Sequence, residues 1–131
     1  MGLFKIFGNK KQIDKLNKYF LEKKIELKEE NDKYSFEIVF QELGYSIFPY
    51  FSFNEEKNEI AIVINLRKDD NISFQKLNEF NIKSKYFTAK VSSNNIIYLE
   101  YCTILSNDLY KEMLNDILDS IAMLALEIDA L

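Results

Sequence analysis

The amino-acid sequence predicts an α+β fold, an antiparallel sheet with helices packed against it. The expected order is helix, three or four strands, helix, two strands, helix. Two observations predict it. The spacing of apolar residues switches between a helical period and strict alternation, and the alternating stretches are joined by short polar loops. At 131 residues and 47% hydrophobic, the chain suits a single core. It carries no Pro/Gly/Ser-rich linker and no internal repeat. Residues 1–9 read as an irregular lead-in and residues 10–131 as one domain.

In residues 10–23, Ile13, Leu16, Phe20 and Leu21 fall on one stripe of an amphipathic helix with lysines around it. Ile25 and Leu27 then alternate with Glu26 and Lys28, as a short strand or a fraying helix end, and Asn31-Asp32 signals a turn. Residues 34–40 alternate through Phe36, Ile38 and Phe40. Residues 45–53 form an aromatic strand, edge-placed or bulged at Pro49, which has no N–H for a ladder. A polar loop at 54–58 leads to the clearest strand, with Ile60, Ile62, Ile64 and Leu66 on one face. Asp70-Asn71 is the expected N-cap of the second helix, with Phe74, Leu77 and Phe80 as its buried side. Residues 85–92 and 96–104 form a hairpin with Asn94-Asn95 at its tip. Ser106 or Asn107 caps a last helix whose apolar stripe, from Tyr110 to Ile128, is wider than one sheet-facing seam needs.

The composition excludes several chemistries. With no His, there is no His base, no His-based triad and no His metal ligand. One Cys excludes an intrachain disulfide and a thiolate zinc cluster. The paired acids Glu29-Glu30, Glu55-Glu56 and Asp69-Asp70 lie in predicted turns and read as solvated. A calcium loop starting at Asp69 fails at Phe74 and Phe80, where Gly and Glu are needed. Isolated glycines give no phosphate loop. Cys102 reads as a buried structural thiol. No catalytic residue, cofactor or metal is expected.

Net charge is −4, so no nucleic-acid partner is expected. Residues 1–24 hold seven lysines against Asp14 and Glu22, while residues 107–131 hold one lysine against six acids. These runs read as solvated helix faces of opposite sign; the alternatives are an N-terminal contact with membrane or nucleic acid, or attraction between subunits. No stretch is long enough for stable membrane insertion, and a cytoplasmic location is expected. Abundant Ile, Lys and Asn beside a single Arg suggest a low-GC bacterial genome.

The aromatic strand carries Tyr45, Ile47, Phe51 and Phe53 on one face and Phe48 and Tyr50 on the other. A two-sided apolar strand is buried on both sides, or one side meets a partner. The candidate protein-binding residues are Phe48, Tyr50, Phe51 and Phe53, together with Leu118, Ala122 and Ala125 on the outer stripe of the last helix.

The segment Leu77-Asn78-Glu79-Phe80-Asn81, the following Phe87-Thr88-Ala89-Lys90-Val91, and the polar tip Ser93-Asn94-Asn95 with its returning arm resemble the YbjN family of bacterial sensory transduction regulators. The resemblance implies the fold of type III secretion chaperones, small acidic α+β proteins, often homodimers, that bind extended client segments. It carries no catalytic residues. Asn78 and Asn81 read as helix C-caps. The function expected is therefore a non-enzymatic protein-binding regulator or secretion-chaperone-like module, a homodimer with a protein client. The alternative is an immunity or antitoxin-like inhibitor that blocks a partner through an acidic surface.

Overall fold

The first helix among the described residues, α1 (Gln12–Glu22), buries Leu16, Tyr19 and Phe20 along one stripe. It ends without glycine. Lys24 takes the left-handed conformation at φ 61, its N–H donates to the Leu21 carbonyl at 3.0 Å, and the Ile25 N–H donates to the Phe20 carbonyl at 2.9 Å. That is a Schellman closure, which satisfies the last carbonyls and turns Ile25 back onto the core. Residues 25–27 accordingly belong to neither helix nor strand. The structure is a computed structural model that describes the backbone of residues 12–128 and the side chains of residues 12–124. The expected lead-in at 1–9 lies outside the described residues.

The architecture is α+β and its sheets are antiparallel, with more strands than the alternation predicts. The strands are β1 (Lys28–Glu30), β2 (Lys33–Ser35), β3 (Ile38–Phe40), β4 (Tyr45–Ile47), β5 (Tyr50–Asn54), β6 (Glu59–Lys68), β7 (Thr88–Val91) and β8 (Ile96–Ile104). Six form one sheet in the order β1-β2-β5-β6-β8-β7, and β3-β4 form a separate two-stranded hairpin. The tight β1–β2 connection is made by Asn31 and Asp32 at φ 52 and 63, the pair of positive angles that a type I′ turn requires.

The two alternating stretches expected as single strands, 34–40 and 45–53, are each broken in the middle. Tyr34 and Ser35 pair with Phe51 and Tyr50, and the Phe36 N–H donates to the Pro49 carbonyl at 3.1 Å. Beyond that bond both chains leave the sheet together. Pro49 is buried and cannot donate to a ladder, so the register stops there and residues 38–47 peel off as the small hairpin.

In the main sheet one face is core. Phe51, Ile60, Ile62, Ile64, Ala89, Ile97 and Leu99 all point to it and are buried. Burial of each large aliphatic or aromatic side chain of this set contributes roughly 1.5–3 kcal/mol. The helices α2 (Phe74–Lys83) and α3 (Tyr110–Ile128) join α1 in this core through Leu77, Phe80, Leu114, Ile117, Ile121 and Leu124. Because β6 and β7 both run antiparallel to β8, the β6–α2–β7 connection crosses over β8.

The N-cap of α2 is Ser73, whose Oγ accepts from the Lys76 N–H at 3.3 Å, rather than Asp70 or Asn71. Asp69 instead closes its own turn by accepting from the Asn71 N–H. The later start places Ile72 and Leu77 at the two positions of a hydrophobic staple. It also puts Phe74 at the first helical position, where it is 73% exposed and not part of the buried side.

The helices α1 and α3 lie side by side. Gln12 donates through its amide to Asn107, Lys15 sits over the Tyr110 ring, and the Tyr19 hydroxyl donates to Asn115 Oδ1 at 2.6 Å. The described parts of the basic and acidic runs are thus neighbours within one chain, and Coulomb attraction between them acts inside the fold.

Asn81 does not cap α2. Its Oδ1 accepts from the Ala89 N–H at 2.6 Å and its Nδ2 donates to the Ala89 carbonyl at 3.2 Å. The side-chain amide thereby copies a neighbouring strand along the outer edge of β7. The C-cap is Ser84 in extended conformation. At the other edge β1 is three residues long and charged, so both sheet edges resist pairing with another chain.

Two predictions follow from these contacts. Asn81→Ala should cost about 1–3 kcal/mol and expose the β7 edge, whereas exposed Asn78→Ala should change stability by about 0.5 kcal/mol or less; urea denaturation compares them. Tyr19 has its pKa raised to about 12 by burial and by Asp119. Its folded pKa exceeds its unfolded value, so its contribution is present below pH 10 and is lost as pH rises toward 12. The urea midpoint should fall over that interval, and Tyr19→Phe should flatten the fall.

Candidate functional site

Where the hairpin leaves the sheet, side-chain alternation sorts its residues into two faces. Ile38 pairs with Ile47 and Phe40 with Tyr45, and these turn toward the core. Val39 pairs with Ser46 on the opposite face. One step further in the same register, Phe48 falls on that outer face too, because it follows Ile47 in an alternating chain. Phe48 is 61% exposed, Val39 is exposed, and Leu43 at the hairpin tip is also exposed.

Beside Phe48 the diverging chains leave a groove of about 420 Å³. One wall comes from the lead into β1, with Lys24, Ile25 and Lys28, and the other from Phe36, Glu37 and Phe48. The Schellman closure makes the first wall by folding Ile25 inward; Pro49 makes the second by ending the ladder. Ile25, Phe36 and Phe48 give the groove apolar patches, but most of its lining is polar, with Lys24, Lys28, Glu26 and Glu37 supplying both signs of charge. An exposed aromatic on such a wall can anchor an apolar side chain of a partner, while the charged groups around it set its orientation.

The other candidate residues separate by burial. Phe51 is 1% exposed and stacks on Phe20 at 5.5 Å, so it is core and unavailable to a partner. Phe53 is half-buried and packs against the same core. Tyr50 lies half-buried on the outer face of the main sheet, with the Lys33 ammonium 5.4 Å from its ring centroid. On α3, Leu118 packs against the core and Ala122 is exposed. The side chain of Ala125 lies outside the described residues. The wide apolar stripe of α3 has a use within the chain: α1 lies along one side of the helix and β3 also touches it.

The second surface was not legible as a site in the sequence. The outer face of the sheet carries Ala61, Val63 and Tyr98 half-buried, Cys102 exposed, and Ile104 at 62% exposure. Alternation in β8 sends Tyr101 toward the core side and Cys102 outward, so Cys102 is not the buried thiol expected. Desolvation, followed by Glu100 and Glu59, pushes its pKa up, which makes it a weak nucleophile. The Lys90 ammonium donates to Glu100 Oε1 at 2.9 Å on the same face.

Among the described residues no three or more His, Cys, Asp or Glu side chains are grouped to hold a metal ion, and no helix is long and apolar enough to cross a membrane. No protein-family model matches the chain, and no curated protein matches it.

Phe48 and Phe51 are three residues apart with opposite expected behaviour. Phe51→Ala should destabilise by about 3–5 kcal/mol, whereas Phe48→Ala should stay within about 0.5 kcal/mol of the parent. Denaturation of the two variants checks the separation of surface from core.

Proposed function

We propose that this chain is a non-enzymatic protein-binding module that holds a partner through Phe48, the adjoining groove and the outer face of the small hairpin. The observation that carries this reading is Phe48 itself, a large aromatic left 61% exposed on the wall of a groove of mixed polarity. Leaving such a side chain in water forgoes the roughly 1.5–3 kcal/mol that its burial would contribute, and a partner that covers it recovers that energy. The closed sheet edges favour a partner that uses side-chain contacts over one that adds a strand.

The resemblance of about residues 77–125 to the YbjN family leads to the same reading, a regulator or secretion-chaperone-like protein acting on a client and assembling as a homodimer. Ile104, Val63 and Ala61 on the outer sheet face supply an apolar surface for the second copy.

A photo-cross-linking residue in place of Phe48, in the full chain expressed in its native cell, tests the proposal. It should give an adduct of defined mass that excess parent protein competes away and excess Phe48→Ala does not. The same residue in place of Phe74, more exposed at 73% but distant in the chain, should not give that adduct. Identical products from both positions, or none from position 48, would contradict it.

A further inference from the structure

A second groove lies on the helical side, between the end of α2 and the flank of α3, with a volume of about 330 Å³. Its lining is sorted by charge. Lys83, the last residue of α2, and Lys85, just beyond the cap, form one bank. Asp116 and Asp119 form the other, three residues apart on α3 and hence on one side of that helix. The floor is apolar, with Phe87 buried beneath it and Met123, 67% exposed, at its margin.

Nothing closes the two banks on each other. Among the described residues, ion pairs within 4.0 Å join Arg67 to Asp69, Lys90 to Glu100 and Lys111 to Glu22, and none crosses the groove. The Lys85 ammonium rests instead 5.1 Å from the Tyr86 ring centroid. Two positive and two negative groups thus face each other across an apolar floor. A lone anion placed there meets two carboxylates, and a lone cation meets two ammonium groups. A ligand with its own separated charges gains at both ends.

We propose that this groove binds a small zwitterion with an apolar body, of the size of an apolar amino acid or dipeptide. Its carboxylate lies toward Lys83 and Lys85, its ammonium toward Asp116 and Asp119, and its apolar part on Phe87 and Met123. The volume sits at the small end of the range for ligand sites, which fits such a ligand. The unbranched thioether of Met123 can adapt to different apolar bodies. This site is independent of the Phe48 surface.

The test is an NMR titration of the isotope-labelled full chain with leucyl-leucine. Amide signals of residues 84–87 and 116–124 should shift saturably. Leucinamide, N-acetyl-leucine and N-acetyl-leucinamide, which lack one charge or both, should bind at least about tenfold more weakly. Asp116→Asn with Asp119→Asn, which keeps side-chain shape, should weaken leucyl-leucine by a similar factor. Reversing Lys83 and Lys85 to Glu should abolish binding, and adding Asp116→Lys with Asp119→Lys should restore it. Well-dispersed spectra confirm that each variant is folded, and the shape-preserving pair decides if the reversals are not. Absence of saturable shifts, equal binding of the uncharged analogue, or unchanged affinity in the Asn pair would overturn the proposal.

Discussion

The long pairing of β6 with β8, from Glu59 opposite Ile104 to Lys68 opposite Ile96, is the constraint on which the other elements depend. Strand alternation along this ladder turns Ile60, Ile62, Ile64, Ile97 and Leu99 to one side and leaves Ala61, Val63, Tyr98 and Cys102 on the other. The core side cannot stay in water, so the three described helices gather there. The consequence is an asymmetric molecule with a helical layer on one sheet face and an accessible surface on the other. The bulge between Asn65 and Arg67 shifts the register there, and Leu66 still packs, half-buried, against the core beyond the row of isoleucines.

From that spine the two grooves arise in different ways. The Phe48 groove exists because the sheet ends early: Pro49 interrupts the ladder on one wall, and the left-handed turn at Lys24 redirects the other. The charged groove exists because α2 and α3 approach the same core from different directions and bring unlike charges to its banks. The charged groove has no left-handed residue in its lining, whereas the Phe48 groove has one, Lys24 at φ 61. The positive-φ cost is carried by short turns, including Asn31, Asp32, Asn58 and Asn95, where Asn and Asp tolerate it.

Much of this fold was readable from local pattern. Alternation found the faces of β6 and β8, and helical spacing found Leu16 and Phe20 in α1 and the buried side of α3; in α1 it missed Tyr19 and included Leu21, which is 76% exposed. Other features depend on tertiary contacts that local pattern does not encode. The split of residues 34–40 and 45–53 depends on which residue faces Pro49: the Phe36 N–H reaches the Pro49 carbonyl, and Pro49 has no N–H to continue the ladder beyond it. Asn81 has the composition of a helix cap, yet its amide reaches Ala89 because α2 lies along the β7 edge. Phe48 was identifiable as a candidate because it alternates against Ile47 and Phe51. Phe51 looked equally plausible until the stacking with Phe20 placed it inside. The charge-sorted groove had no sequence signature, since its four charged residues come from two segments about thirty residues apart and no motif joins them.

If the β6–β8 ladder is the spine and the β3–β4 hairpin a satellite set against it, stability should be distributed unevenly along the chain. Hydrogen exchange of the full chain, resolved by residue, measures this directly. Amides in the paired parts of residues 60–64 and 97–101 should exchange only through global unfolding, whereas those of residues 45–48 should exchange faster through local opening. Equal protection of residues 45–48 and the β6–β8 ladder would contradict that picture, because the Phe48 surface would then be an integral part of the folding core.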